Sequence, residues 1–172
     1  MNSAAISVGS AAFPAPAPRL LALRILLVIV ALIELMDSLV GAWMLLGDMT
    51  VFPGPGIGGA LIKLHLATHP LLALAALILA AIGRARHAIM VLAAVILTTW
   101  LSFLPSVVLH GLGGAVQTPV QIITFPLMGA CAIALAARKQ WLSLAAALVS
   151  IPAFMGTFRF VAFAMGVAIN GF

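Results

Sequence analysis

Long apolar segments dominate this chain and restrict the environment in which it can fold. They are separated by short polar or glycine-rich breaks and lie at 21–46, 58–82, 88–109, 118–137 and 141–170. About 20 helical residues cross the roughly 30 Å hydrocarbon layer of a bilayer, so each segment is long enough to span it. The sequence therefore predicts an all-α fold, an integral membrane bundle of five transmembrane helices.

The composition points to the same environment. Hydrophobic residues make up 65% of the 172 residues and charged residues only 6%, whereas about 25% of the residues in soluble domains are charged. The formal net charge is +5, but the cations form no patch or stripe, so no nucleic-acid partner is expected. The lipid bilayer is the expected partner, and the Ala-, Leu- and Arg-rich composition favours a bacterial origin.

The chain is expected to form one folded domain. Residues 1–19 contain the run AAFPAPAP and are predicted to form a disordered cytoplasmic tail. Residues 20–172 are predicted to form a single transmembrane helical domain. Within the fifth segment, Pro152 is expected either to kink the helix or to end an interfacial first part.

Arginine and lysine residues predict the orientation of the bundle. Those that flank the segments all fall on one side if the N-terminus is cytoplasmic: Arg19, Arg24, Arg84, Arg86, Arg138 and Lys139. The stretches 47–62 and 110–117, on the opposite side, contain neither Lys nor Arg. Cytoplasmic loops carry the excess of Lys and Arg, so the C-terminus is expected outside. The protein is predicted to be a multi-pass protein of a bacterial inner membrane.

Ionisable residues within the segments are predicted to lie in the outer half of the bundle. With a helical rise of about 1.5 Å per residue, His69 and Asp37 both lie about 13 Å below the outer boundary. Glu34 and Arg159 both lie about 18 Å below it by the same rise. Ionisable side chains are costly in lipid, so these residues are expected to face one another, with Glu34 and Arg159 forming a buried ion pair.

The motif HLATH carries the main functional hypothesis. Its two histidines, His65 and His69, are four residues apart and therefore share one helix face, a spacing that helices use to chelate a metal. With Asp37 and Glu34 as acidic partners, the ligand set suits a transition metal such as zinc, copper or iron. The sequence therefore predicts a metal site formed by these four residues, with His110 closing its outer side.

Three other functions fit the same residues. A membrane redox subunit would bind b-type haem through His110 and one histidine of the motif, but their depths differ by about 7 Å or more. A proton- or ion-coupled small transporter would use the acids and histidines as titrating groups and would need to form a homo-oligomer. A structural accessory or assembly subunit would pair them inside a larger membrane complex. No catalytic motif assigns a reaction, so the sequence leaves enzymatic activity open.

The predicted orientation can be checked directly. Reporter fusions after Gly83 and after Lys139 are expected to read cytoplasmic, and fusions within 47–57 or 111–116 are expected to read external. An external reading for the fusion after Gly83 would contradict the predicted depths of the histidines and carboxylates.

Overall fold

The described residues fold into helices. The structure, a computed structural model, describes residues 18–47, 56–114 and 119–170. Its helices are α1 (Pro18–Gly47), α2 (Gly56–Ala81), α3 (Ala85–Gly114), α4 (Pro119–Ala137) and α5 (Leu142–Asn170). The predicted all-α fold is confirmed for this part of the chain. Most of the predicted tail, residues 1–17, lies outside it, and Pro18 already belongs to α1.

Each helix coincides with one predicted apolar segment. Most helix ends agree with the prediction within a few residues, and the largest difference is α3, which continues past residue 109 to Gly114. Gly111 has φ 67° and ψ −179° and marks a kink between two helical pieces. Pro152 does not end the fifth segment, because α5 is helical from Leu142 to Asn170.

Two helices in the described part of the chain are long and apolar enough to cross a membrane. They are Gly56–Ala81, with a mean hydropathy of 1.8, and Ala85–Leu109, with 2.1. Shorter apolar stretches lie at Gln121–Ala137 and Leu142–Phe158. Only 22% of the apolar stretch of α2 and 33% of that of α3 are buried inside the protein. Their apolar side chains therefore point mostly away from the protein interior.

Arginine side chains show the helix directions at one end of the bundle. Arg24, near the start of α1, donates to the carbonyl oxygen of Ala81, the last residue of α2. Arg86, near the start of α3, donates at 3.2 Å to the carbonyl of Ala137, the last residue of α4. The last carbonyls of a helix lack partners within it, so each arginine caps a neighbouring helix. Hence α1 and α2 are antiparallel, as are α3 and α4. We call the end that carries Arg24 and Arg86 the basic end.

The tightly packed core lies toward the basic end. All five helices contribute to it, and most of its buried side chains are alanine: Ala31, Ala76, Ala80, Ala88, Ala93, Ala132, Ala136, Ala145, Ala146 and Ala153. Leu27, Ile89 and Val149 supply larger buried side chains. Small side chains let helix backbones approach closely. Helix α3 is central, since it packs against each of the other four helices.

The opposite half of the bundle is more open. Beyond Ala153, the described side chains of α5 are mostly exposed, including Phe158 at 74% and Ile169 at 75%. On α1, Met36 and Val40 are exposed in the same way. The outer half of α5 is therefore loosely packed, whereas α1, α2 and α3 stay close there: an added Cβ at Gly41 would lie 2.9 Å from Leu66, and one at Gly58 3.0 Å from Pro105.

Two short turns at the basic end share one backbone arrangement. The turn after α2 places Gly83 in the left-handed region, with φ 80°. The turn after α4 places Lys139 there, with φ 56°. In both turns the next N–H group bonds back to a carbonyl of the preceding helix, at 2.8 and 3.0 Å, as in a helix-ending turn that favours glycine. The Cβ atom of Lys139 therefore strains a position that suits glycine.

Exchanging the residue types at these two turns is expected to change stability in opposite directions. Lys139→Gly should raise the free energy of unfolding by about 1 kcal/mol, because it removes the steric cost of a left-handed residue with a Cβ. Gly83→Ala should lower it by about 1–2 kcal/mol for the same reason. Thermal unfolding of the purified protein in mild detergent measures both changes. Equal stability of Lys139→Gly and the wild type would contradict the strain at Lys139.

Candidate functional site: a cavity between the five helices

A cavity of about 700 Å³ lies between the helices, with residues of α1 to α5 all contributing to its wall. Ile96 and Ala153 belong both to the packed core and to the wall, so the cavity starts where the core ends. Its volume is in the range of pockets that hold small-molecule ligands. Most of the wall is apolar, and its ionisable side chains, Glu34, Asp37, His65 and His69, come from the neighbouring helices α1 and α2.

The shortest polar contact in the cavity joins α1 to α2. Nε2 of His69 lies 3.0 Å from Oε2 of Glu34, and both side chains are largely buried, with 6% and 14% of their surfaces exposed. An ionised carboxylate only accepts hydrogen bonds, so the imidazole donates. Each group supplies the partner that the other would otherwise lack in an apolar interior. The pair therefore holds α1 and α2 in register at the depth of the cavity.

His65 lies one helical turn from His69 and stacks on it. The two ring centroids are 5.0 Å apart and the ring planes differ by 30°. Nδ1 of His65 is buried and has no hydrogen-bond partner among the described residues. Buried polar atoms normally have a partner. This nitrogen is therefore the atom of the cavity wall that most needs a ligand or a water molecule.

Asp37 supplies a second carboxylate beside the pair. It follows Glu34 by three residues on α1, so the two lie on one helix face, and it interacts electrostatically with both Glu34 and His69. Its side chain is exposed, unlike those of the other two. Asp37 thus lies at the edge of the cavity, and the His69–Glu34 pair lies inside.

Aromatic side chains form the wall that α3 and α4 contribute. They are Trp100 and Phe103 on α3 and Phe125 on α4. The indole N–H of Trp100 donates to the carbonyl oxygen of Ile122 at 2.8 Å, so its polar atom is satisfied within the protein. Most of this wall is therefore apolar, although the buried Gln121 of α4 also lines it. Sequence reasoning missed it; the available signal was the spacing of Trp100 and Phe103, three residues apart on one helix face.

Hydroxyl groups of the wall bond within their own helices. Thr99 donates to the carbonyl of Val95 at 2.8 Å, and Thr157 donates to that of Ala153 at 3.0 Å. Both hydroxyl hydrogens are therefore occupied. The described ionisable groups that a ligand would meet in the cavity come from α1 and α2.

The structure brings together the predicted residues of these two helices. His69 hydrogen-bonds Glu34, whereas the depth count places Asp37 at the level of His69 and Glu34 at the level of Arg159. The side chains of His110 and Arg159 lie outside the described residues. The ion pair of Glu34 with Arg159 and the closing role of His110 therefore remain predictions.

The geometry at the motif HLATH differs from that of a formed metal site. Within the described residues, no group of three or more His, Cys, Asp or Glu side chains is placed to hold a metal ion. The imidazoles of His65 and His69 are stacked, and Nε2 of His69 is engaged by Glu34. Binding a metal through these residues would require their side chains to rearrange.

Comparison with known proteins gives no further guidance to the site. No model of a protein family, no curated protein and no solved structure matches this chain. The function is therefore argued from the cavity itself.

The contact between His69 and Glu34 can be tested by a double-mutant cycle. Glu34→Ala and His69→Ala should each lower the free energy of unfolding by about 1–3 kcal/mol, because each leaves a buried polar group without a partner. The double variant should lose less than the sum of the two, by more than about 0.5 kcal/mol. Denaturant unfolding in mixed micelles measures these values.

Thr68→Ala is a matched control on the same helix, because the bonds of its hydroxyl among the described residues go to carbonyls of α2, Leu64 at 2.7 Å and His65 at 3.3 Å. It should show no coupling to Glu34→Ala. Strict additivity of Glu34→Ala and His69→Ala would show that the two side chains do not pair.

Proposed function

We propose that this protein is a multi-pass membrane protein, of a bacterial inner membrane, that binds a small amphipathic molecule in the cavity between its helices. The membrane setting is supported by apolar side chains that face outward along the helices. Examples are Leu71 at 67% and Ile78 at 53% exposure on α2. Soluble monomers rarely expose large contiguous apolar surfaces, whereas a bilayer solvates them. Capping of helix ends by Arg24 and Arg86 at one end agrees with a cytoplasmic basic end.

The observation that carries the proposed ligand binding is the two-sided chemistry of the cavity. One side presents mainly aromatic and aliphatic side chains of α3 and α4, with Gln121 among them, and the other presents Glu34, Asp37, His65 and His69. Ligand pockets combine an apolar lining with a few convergent polar groups in this way. A ligand that fits has an apolar body of drug-like size and one polar group.

The polar side selects the kind of polar group. Carboxylates only accept hydrogen bonds when ionised, and the imidazole of His69 already donates to Glu34. The Nδ1 atom of His65 lacks a partner, and it accepts a hydrogen bond in the tautomer that carries its hydrogen on Nε2. A hydroxyl or amino group supplies the donors that these acceptors need, so the proposed ligand carries a hydrogen-bond-donating head.

A transition metal at His65 and His69 is the second candidate function. The unpartnered Nδ1 of His65 favours it, because that nitrogen is free to coordinate. Elemental analysis of protein purified in mild detergent, with a visible spectrum, separates the alternatives. Stoichiometric metal that His65→Ala and His69→Ala both remove supports a metal site, and a Soret band indicates b-type haem.

Ligand binding is expected to quench the fluorescence of Trp100. In a variant with Trp43→Phe and Trp141→Phe, Trp100 is the remaining tryptophan of the three in the sequence. Bromoundecanol, with bromine at the chain end opposite its hydroxyl, should quench it saturably in lipid nanodiscs. Bromoundecane, which lacks the hydroxyl, should bind about 10- to 100-fold more weakly, because hydrogen bonds to charged groups contribute about 1.5–3 kcal/mol.

The polar side is tested with Asp37→Asn and His65→Phe in the same background. Both should weaken bromoundecanol binding while bromoundecane quenching stays the same. Thr68→Ala, outside the cavity wall, is the control and should bind as the parent does. Equal, unsaturable quenching by the two probes in all variants would contradict ligand binding in the cavity.

A further inference from the structure

The mouth of the cavity is formed by two helices. The exposed residues of the wall all belong to α1 or α5. They are Leu32, Met36, Asp37, Val40, Gly156 and Thr157. The wall residues of α2, α3 and α4 are buried or half-buried. The cavity is therefore closed on the α2, α3 and α4 sides and open between α1 and α5.

Packing explains why these two helices part. Near the basic end they are held together through the core, to which α1 contributes Val30 and Ala31 and α5 contributes Ala146 and Val149. Past Ala153, the described side chains of α5 are mostly exposed. At Gly156, an added Cβ atom would meet no atom within 4 Å. Among the described side chains, none fills the gap between α1 and α5 at the level of Gly156.

The depth of the mouth in the membrane decides whether it opens to water or to lipid. Met36 lies about 17 Å and Gly156 about 21 Å below the outer ends of their helices at about 1.5 Å rise per residue. The hydrocarbon layer is about 30 Å thick. In the proposed membrane orientation, the mouth opens near the middle of the bilayer, where the neighbouring molecules are lipid chains.

We infer that the gap between α1 and α5 is a lateral portal, through which the ligand enters the cavity from the bilayer core. This inference rests on the proposed ligand binding and narrows the ligand class to lipid-soluble molecules with a hydrogen-bond-donating head, such as long-chain alcohols, phenols or amines. A solute that stays in water cannot reach this mouth.

The chemistry at the portal fits that class of ligand. Leu32, Met36 and Val40 recur every fourth residue on α1 and give the rim an apolar edge. Asp37 lies between them, exposed at the rim and within electrostatic reach of Glu34 and His69. A carboxylate at this depth is costly in lipid. A ligand head that hydrogen-bonds Asp37 relieves that cost and then passes to the polar groups inside.

Gly156→Phe tests the portal, because the open space at Gly156 accepts a side chain that would obstruct the gap. Gly166→Phe is the matched control: it lies on the same helix, an added Cβ there also meets no atom within 4 Å, and it is not part of the cavity wall. Both changes are made in the variant that retains Trp100 as its tryptophan. Stopped-flow quenching by bromoundecanol in nanodiscs gives the association rate.

Gly156→Phe is expected to slow association by about tenfold, within the one to three decades that on-rates span among related complexes. Gly166→Phe should associate as the parent does, and Gly156→Leu should fall between them. Lipids brominated at mid-chain should quench Trp100 in the parent and less in Gly156→Phe. Acrylamide, a quencher dissolved in water, should quench all the variants weakly and equally.

The outcomes separate the portal from the proposed function. Saturable bromoundecanol binding with equal association rates in Gly156→Phe and Gly166→Phe overturns the portal and leaves ligand binding intact. Strong quenching by acrylamide also overturns it, because the cavity would then open to water. Lipid-chain quenching that depends on Gly156, without saturable binding of bromoundecanol, supports the portal and overturns the proposed ligand class.

Discussion

Close packing of small side chains toward the basic end is the constraint on which the rest of the structure depends. Alanines from all five helices meet there, and Arg24 and Arg86 cap the ends of neighbouring helices. Helices joined at one end are free to separate at the other. The cavity begins where the alanine-rich core stops, and its position follows from the location of that core along the helices.

The contacts between the polar groups of the cavity depend on this packing. His69 and Glu34 meet because the core sets the distance and the rotation of α1 and α2. The contact is 3.0 Å long and largely shielded from solvent, a setting in which each partner would be costly without the other. It satisfies Glu34 internally. Asp37 and Nδ1 of His65 are then the groups available to a ligand, which is why a donor head on an apolar body is the class of molecule that we propose.

The proposed function depends on the open packing between α1 and α5. A closed bundle would bury the outer half of α5 and would leave no mouth at Gly156. The exposed apolar side chains of that half, such as Phe158 and Ile169, are a liability in water and suit lipid contact. The buried core thus lies toward one end of the bundle, and the mouth of the cavity lies toward the other. Regions with few buried apolar contacts open most easily, so ligand entry is expected there.

The sequence by itself determined the helices and the neighbourhood of the site. Long apolar segments favour helices however they are packed, because hydrogen bonds within a helix satisfy the backbone locally. Spacing alone places His65 and His69 on one face, and counting residues puts a carboxylate at their depth. The count favoured Asp37, whereas His69 bonds Glu34, one helical turn before it on α1. The positions of the helices and the shared face of the two histidines depend on neighbours in the chain, so they can be derived without the fold.

Only the tertiary structure decided which residues touch and where the cavity opens. The depth count paired His69 with Asp37, but the rotation of α1 about its axis brings Glu34 to His69 instead. The aromatic wall around Trp100 and the mouth at Gly156 were not predicted, because both depend on how far apart helices distant in sequence lie. That separation is set by the packing of alanines from different helices against one another, which no single segment of the sequence contains.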